Sequence, residues 1–177
     1  PHRRPFSRSR CAQAHHRGVH SAASGDLDER ADGERVVVHY EGGIRDFVAY
    51  INREKDAMQP SIIFLENETD DGQVEVAMQW NSSYNESIFT FANNINTTEG
   101  GAHLSGFKAA LTGTLNKYAR DKGLLKEKEE NLQGEDIREG LTAIIAVSIS
   151  EPQFQGQTKS KLGNVSVRSL VEKATNE

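Results

Sequence analysis

The sequence predicts an α+β fold, with a mixed sheet of four or five strands and helices packed on one face. Three observations support this class. Short β-branched or alternating segments are interleaved with amphipathic helical segments. The 177 residues suffice for one domain but not for two full ones. Hydrophobic residues make up 36% of the chain, which is enough for one core in a polar domain.

The first half of the chain alternates strand and helix patterns. The valine run at 36–38 predicts a strand, and apolar residues spaced i, i+3, i+4 and i+7 over 44–51 predict an amphipathic helix. The continuous apolar run at 61–66 predicts a strand buried at the sheet centre. Alternation at 73–81 and the aromatic segment 87–96 predict two further strands. The short polar link between these two favours antiparallel neighbours.

The second half predicts helix, strand and helix. The longest helix is predicted at about 103–122, with one apolar face formed by Leu104, Phe107, Leu111, Leu115 and Tyr118. Gly113 inside this helix costs about 1 kcal/mol relative to alanine. A short helical turn is expected at 134–141. Within 142–150, small residues alternate with Ile145, Val147 and Ile149, as is typical of a central strand beneath a helix. The segment 166–177 predicts a terminal helix with Val167, Leu170 and Val171 facing inward.

The charge distribution separates a basic head from an acidic body. The formal net charge is −5, yet the first 20 residues carry five arginines, four of the six histidines and no acidic residue. An acidic body does not suit a domain that grips DNA phosphates over its whole surface. Residues 1–26 are expected to be a disordered or non-native leader, and residues 27–177 the folded domain. A transit peptide and a basic nucleic-acid-binding arm are the other interpretations of this head.

Several function classes lack their motifs in this sequence. Cys11 is the single cysteine, which excludes an internal disulfide and favours a reducing compartment. No apolar run approaches the roughly 18 residues of a membrane span, so a cytoplasmic location without membrane contact is expected. Neither phosphate-binding glycine motif occurs, and the glycine pairs at 42–43 and 100–101 are typical of turns. His103 has no evident catalytic partner, so we predict a structural or capping role.

A polar run near the C-terminus is the most distinctive chemical feature. Residues 155–164 read "QGQTKSKLGN" and follow a predicted buried strand. The ammonium of Lys159 and the amide of Gln157 are hydrogen-bond donors that suit an anion such as a terminal phosphate. An ordinary solvated loop and an anion-sensing loop are both consistent with these residues alone.

Three strings together carry a family resemblance. They are "FANNINTTEGG", "GEDIREGLTAII" and "EPQFQGQTKSKLGN", and with their surroundings they resemble the transducer domain of the DNA gyrase B family from about Asp28 to Glu177. The paralogous B protein of topoisomerase IV shares most of this pattern and is the alternative. The resemblance implies a fold like domain 2 of a small ribosomal protein, with a left-handed βαβ crossover.

The resemblance also implies a function. In this family the transducer follows an ATPase domain and precedes a metal-binding region, and its "QTK" loop contacts the γ-phosphate of ATP; here those residues are Gln157 and Lys159. ATP and Mg²⁺ are the implied cofactors, with the Mg²⁺ ligands outside this chain. The implied partners are DNA, the gyrase A protein and a second copy of the gyrase B protein. The implied activity of the whole enzyme is negative supercoiling of DNA, driven by ATP hydrolysis.

The sequence departs from the family pattern at three positions, none of them in the "QTK" loop. Ala102 stands where threonine is usual, Lys108 where arginine is common and Gly113 where a charged residue is usual. Motifs that bind Mg-ATP are absent from the sequence, so we expect a fragment that neither hydrolyses ATP nor changes DNA topology by itself. A non-catalytic interaction domain of the same fold and a DNA binder with a basic arm are the alternatives from other classes.

Overall fold

The computed structural model describes residues 42–126 and 128–176, together with the backbone of two short strands at 29–31 and 34–36. The predicted leader at 1–26 lies outside the described residues. In chain order the elements are β1 (Glu29–Ala31), β2 (Glu34–Val36), α1 (Ile44–Asn52), β3 (Ile63–Thr69), β4 (Gly72–Trp80), β5 (Ser87–Ala92), β6 (Ile95–Asn96), α2 (Ala102–Asp121), α3 (Gly134–Arg138), β7 (Leu141–Ser148), β8 (Phe154–Gln155), β9 (Lys161–Leu162) and α4 (Val165–Asn176).

The main sheet has five strands in the order β3-β4-β7-β5-β6. Strand β4 runs antiparallel to β3 and to β7, whereas β5 runs parallel to β7 and β6 returns antiparallel along β5. Parallel neighbours need a long crossover, and α2 lies within the connection from β5 to β7. The α+β class and the mixed five-stranded sheet are therefore confirmed. The left hand of this crossover stays a prediction.

Two details of the predicted strand pairing are wrong. Strands β4 and β5 were expected to be neighbours, but β7 lies between them, with Ile145 opposite Val76 and Ile144 opposite Phe89. Strand β7 is buried from Leu141 through Val147, so both of its faces must be covered. An apolar strand such as β7 buries most surface in the middle of a sheet. This gain outweighs the local preference for a hairpin between β4 and β5.

The predicted strand at 61–66 lies at an edge rather than at the centre. Strand β3 occupies one end of the main sheet, and each of its residues is either exposed or half-buried, with Ile63 37% exposed. Phe64 and Leu65 pack against the cores on opposite faces of the sheet. The run is apolar because both faces of this edge strand are partly covered by a core, and it does not indicate a central position in the sheet.

The segment predicted as one strand over 87–96 is a tight hairpin. Asn93 and Asn94 both have positive φ, at 48° and 64°, between β5 and β6. Asparagine tolerates the left-handed region, and two such residues in succession make the turn that suits a two-residue hairpin. The Asn93 side chain further fixes the turn by donating to the Ile149 carbonyl at 2.8 Å.

Helices cover both faces of the sheet. Helices α2 and α4 form one core with Val76 and Ile145, whereas α1 forms a second core with Ala77 and Ile144. Successive residues of a strand point to opposite faces, so β4 and β7 supply both cores. The expectation of helices on one face therefore holds for α2 and α4 but is wrong for α1.

The predicted helices agree closely with the observed ones. The long helix expected at 103–122 is α2, and its Phe107 and Leu111 are buried as the spacing predicted. Tyr118, expected on the same face, is 54% exposed near the end of the helix. The inward residues predicted for the terminal helix are all buried in α4.

Candidate functional site

The polar run identified in the sequence is a loop on a short two-stranded stem. Strand β8 pairs antiparallel with β9, so that Phe154 lies opposite Leu162 and Gln155 opposite Lys161. Below this pair, the Gly163 amide donates to the Gln153 carbonyl at 2.7 Å. Leu162 is buried in the main core and Phe154 packs against it. The stem is thus anchored in the domain, and residues 156–160 form the tip.

The tip is exposed and has an unusual backbone. Gln157, Thr158 and Lys159 are all exposed to solvent. Gly156 has a φ of 78°, and Lys159 has a φ of 54°. A non-glycine residue in the left-handed region costs about 1 kcal/mol or more, and such residues concentrate at functional sites.

Two donors at the tip are uncommitted. Within 42–126 and 128–176, the side-chain amide of Gln157 makes no hydrogen bond and the ammonium of Lys159 forms no ion pair. The Lys159 Nζ instead lies 5.8 Å from the centroid of the Phe154 ring, within the range of a weak cation–π contact. An ammonium and an amide placed in this way can both donate to one anion.

The C-terminal side of the loop is tied to the segment that precedes α2. The Ser160 hydroxyl donates to a carboxylate oxygen of Glu99 at 2.7 Å. The Glu99 amide donates to the Ser160 carbonyl at 2.9 Å, and the Leu162 amide donates to the Gly100 carbonyl at 2.9 Å. The sequence did not indicate the contact between Glu99 and Ser160, because residues 61 positions apart carry no local signal of their proximity.

The glycine pair at 100–101 allows this close approach. Gly100 and Gly101 have φ values of 69° and 137°, in the region that favours glycine. A Cβ atom on Gly101 would overlap the backbone carbonyl of Leu162, with which Gly101 forms a parallel bridge. The pair therefore forms a turn, as the sequence predicted, and in addition allows a backbone contact that the sequence did not predict.

A groove of about 400 Å³ lies beside the stem. Its walls include Glu99, Ser105 and Lys161. Neither Gln157 nor Lys159 lines it. The two predicted donors are therefore not part of this groove.

His103 is a structural residue in the first turn of α2. Its side chain is fully buried, and its Nε2 lies 3.0 Å from the hydroxyl of Thr97. That hydroxyl donates to the Thr90 carbonyl at 2.9 Å, so it accepts from a protonated Nε2. Burial lowers the pKa of His103 to about 4. The ring is neutral at physiological pH and fixes the segment before α2 to β5.

A charged cluster links the residue that precedes β5 to α2 and α3. Glu86 accepts from the Lys108 ammonium and from Arg138 Nε, both at 2.7 Å. Burial opposes ionisation of Glu86, but the hydrogen bonds and charges of Lys108 and Arg138 outweigh it and lower the pKa of the carboxyl. Lys108, noted in the sequence only as a departure, is therefore held by a carboxylate.

A metal-binding cluster and a membrane-spanning helix are both absent from the part of the chain that the structure describes. No group of three His, Cys, Asp or Glu side chains gathers there in an arrangement that holds a metal ion. None of the described helices combines the length and the apolar character needed to span a bilayer.

Comparison with known proteins relates residues 43–177 to one family. A family model described as DNA gyrase B matches residues 43–177. The DNA gyrase B protein of Streptomyces coelicolor is 56% identical over 153 residues, covering 85% of this chain and 22% of that protein. The DNA gyrase B protein of Mycolicibacterium smegmatis is 57% identical over 141 residues, covering 80% and 21%. The chain thus spans about a fifth of the length of these curated relatives.

Solved structures share the fold. The 43K ATPase domain of Thermus thermophilus gyrase B, in complex with an aminocoumarin, matches with a TM-score of 0.72 and 33% identity over 82% of this chain and 39% of that one. The topoisomerase IV ATP-binding domain of Francisella tularensis, in complex with a small-molecule inhibitor, matches with a TM-score of 0.62 and 26% identity over 81% and 38%. Since the family model covers residues 43–177 and these relatives agree with it, the chain belongs to the DNA gyrase B family.

Proposed function

We propose that residues 27–177 are the transducer segment of an ATP-dependent type II topoisomerase of the gyrase B type. In this proposal the loop tip senses the γ-phosphate of ATP held by a neighbouring ATPase domain. The observation that supports it most is the exposed tip itself. Gln157 and Lys159 carry uncommitted donors there, while the stem beneath them is fixed to the core.

The donor set fits a terminal phosphate. Lys159 supplies a point charge with three donors, and Gln157 supplies a neutral amide donor two residues earlier. One loop provides only these two contacts, so the remaining nucleotide ligands and those of Mg²⁺ must come from a neighbouring domain. The similarity to a gyrase B ATPase domain, of which this chain covers 39%, supports the presence of such a neighbour.

The position of the loop depends on whether the γ-phosphate is present in the neighbouring ATPase domain. Lys159 neutralises negative charge and Gln157 orients the same group, so both hold the loop in place only while the γ-phosphate is present. Loss of that group releases the loop, and the domain then rotates against the ATPase domain. In the assembled enzyme this rotation couples hydrolysis to DNA strand passage, with the gyrase A protein, a second gyrase B protein and DNA as partners.

The test is Lys159→Ala in the full-length protein that carries this chain. The ATPase rate is expected to fall roughly a hundredfold, which corresponds to loss of a charge-assisted hydrogen bond of about 3 kcal/mol. Lys173→Ala is a suitable control, because it removes a lysine from the last turn of α4, away from the loop. An ATPase rate in Lys159→Ala equal to that of the unaltered protein, with the fold intact by circular dichroism, would refute the phosphate contact.

The match to a topoisomerase IV domain supports one alternative, namely that the parent enzyme is a topoisomerase IV. The two enzymes differ in the reaction of the assembled complex. Introduction of negative supercoils into relaxed DNA by the complex with its A-type partner would support gyrase. Decatenation without supercoiling would support the alternative.

A further inference from the structure

We propose that Glu99 is a positioning residue for Lys159. It accepts the Ser160 hydroxyl and so locks the loop to the start of α2, and the loop and the helix then move as one unit. This inference rests on the proposed contact between Lys159 and a phosphate group. It adds a residue that lies in a different part of the sequence and touches no phosphate itself.

Glu99 and Ser160 are joined twice. The side chains meet at 2.7 Å, and the Glu99 amide donates to the Ser160 carbonyl at 2.9 Å. The next link is the hydrogen bond from the Leu162 amide to the Gly100 carbonyl at 2.9 Å. The Leu162–Gly100 bond belongs to the parallel bridge between Gly101 and Leu162, and the Glu99–Ser160 side-chain bond is the link nearest to the loop tip.

The two sides of the loop tip are held differently. On the N-terminal side, Gly156 has a φ of 78°, and a Cβ placed there meets its nearest atom, the Thr158 hydroxyl, at 4.0 Å. On the C-terminal side, Ser160 is half-buried and bonded to Glu99. Lys159 directly precedes this anchored residue. The backbone of Lys159 is therefore held from the Ser160 side, whereas Gly156 lets the other side pivot.

The segment that carries Glu99 is itself rigid. Thr97 exchanges hydroxyl–carbonyl hydrogen bonds with Thr90 of β5, at 2.9 and 2.8 Å, and its hydroxyl also contacts His103 of α2. Gly101, at the start of α2, lies against the Leu162 backbone. When the loop moves, α2 therefore moves with it through Glu99, because the segment between β6 and α2 is held too firmly to deform.

A carboxylate is an unexpected choice beside a loop that meets an anion, because it repels such a ligand. Its hydrogen bond with Ser160 offers a reason for its presence. If the role of Glu99 is to accept the Ser160 hydroxyl, a side-chain amide at this position is sufficient. Glu99→Gln keeps a carbonyl acceptor and removes the charge, whereas Glu99→Ala removes both.

The kinetic experiment uses the full-length protein and measures kcat and KM for ATP. Glu99→Ala and Ser160→Ala are each expected to lower kcat about tenfold, the effect of one lost hydrogen bond to a charged group, with a smaller change in KM. Glu99→Gln and Ser160→Thr keep the donor–acceptor pair and are expected to restore most of the rate. The double alanine variant should be no slower than either single one, because both changes remove the same bond.

A structural arm uses the 177-residue chain and amide hydrogen exchange. Ser160→Ala should speed exchange at the Glu99 and Leu162 amides, because the bridge opens more often. Thr114→Ala is the matched control, since it removes another exposed hydroxyl-to-side-chain hydrogen bond, of 2.6 Å, at Asn176. It should leave exchange at the bridge unchanged.

The outcomes separate the two proposals. Unchanged kcat in both single variants, or losses that multiply to about a hundredfold in the double variant, would overturn the role of Glu99. If this occurs while Lys159→Ala lowers the ATPase rate as expected, the phosphate-sensing loop stands and only the positioning role fails. If Lys159→Ala is fully active, the proposed function fails, and the role of Glu99 fails with it.

Discussion

Gly106 of α2 lies directly against the backbone of Arg168 of α4. A Cβ atom at Gly106 would come within 2.7 Å of the Arg168 carbonyl oxygen and 3.2 Å of its Cα. The two helices therefore meet at the level of their main chains, which only glycine allows at this position. Their close packing covers one face of the sheet, since Phe107 and Val171 are buried in the core beneath them.

Gly106→Ala is expected to destabilise the domain by about 2 kcal/mol. The added methyl group forces the helices apart, and overpacking of this kind costs about 1–3 kcal/mol, more than the gain in helix propensity. Urea unfolding followed by circular dichroism measures the change. A stability equal to or above that of the unaltered chain would show that the helices are not in backbone contact.

Gly113→Ala is expected to have the opposite effect in the same helix. No described heavy atom lies within 4 Å of a Cβ at this position, and its φ is not positive. Alanine therefore gains about 1 kcal/mol of helix propensity without a clash, which raises the melting temperature by roughly 2–4 °C. Thermal unfolding of the two glycine variants side by side is the test. A lower melting temperature for Gly113→Ala would contradict an open surface there.

The contrast between these glycines shows what the sequence predicts and what it does not. Helical periodicity is local, so the bounds of α2 and the buried face of α4 follow from short windows of sequence. The unfavourable effect of Gly113 on its helix follows from the same window. The role of Gly106 does not, because it depends on Arg168, 62 positions later, and close approach of two helices leaves no local pattern.

Strand order was the weakest part of the prediction for the same reason. Val76 and Phe89 each lie opposite a residue of β7, which is formed more than 50 positions later in the chain. The candidate loop was located from its polar run, and its proposed role from family resemblance. The bond between Glu99 and Ser160, which links the loop to the fold, became visible only in the structure.

Acidification below neutral pH is expected to destabilise the domain through His103. Burial lowers its pKa from 6.5 to about 4, so the unfolded chain binds a proton at this residue at pH values where the folded chain does not. Stability therefore falls as the pH decreases through 6.5 toward 4. Between pH 7 and pH 5 the loss from this residue is about 2 kcal/mol. In the folded state the added proton would go to Nδ1, which has no hydrogen-bond partner among the described residues.

Denaturant unfolding at a series of pH values measures this effect. His103→Gln is the appropriate reference, because glutamine does not titrate and keeps an amide donor that can reach the Thr97 hydroxyl. The variant should be less stable at pH 7 but should lose less stability between pH 7 and pH 5. Equal pH dependence in the two proteins would show that His103 titrates normally in the folded chain.

The isolated chain is expected to bind a nonhydrolysable ATP analogue only weakly, with a dissociation constant above about 1 mM. Gln157 and Lys159 offer two hydrogen bonds on an exposed tip, and ordering that tip around a ligand offsets most of their free energy. Isothermal titration of the unaltered chain and of Lys159→Ala should therefore give nearly equal, small heats. Submillimolar binding that Lys159→Ala abolishes would place a complete nucleotide site within this chain. The loop would then bind nucleotide independently, and a neighbouring ATPase domain would not be needed to supply the pocket.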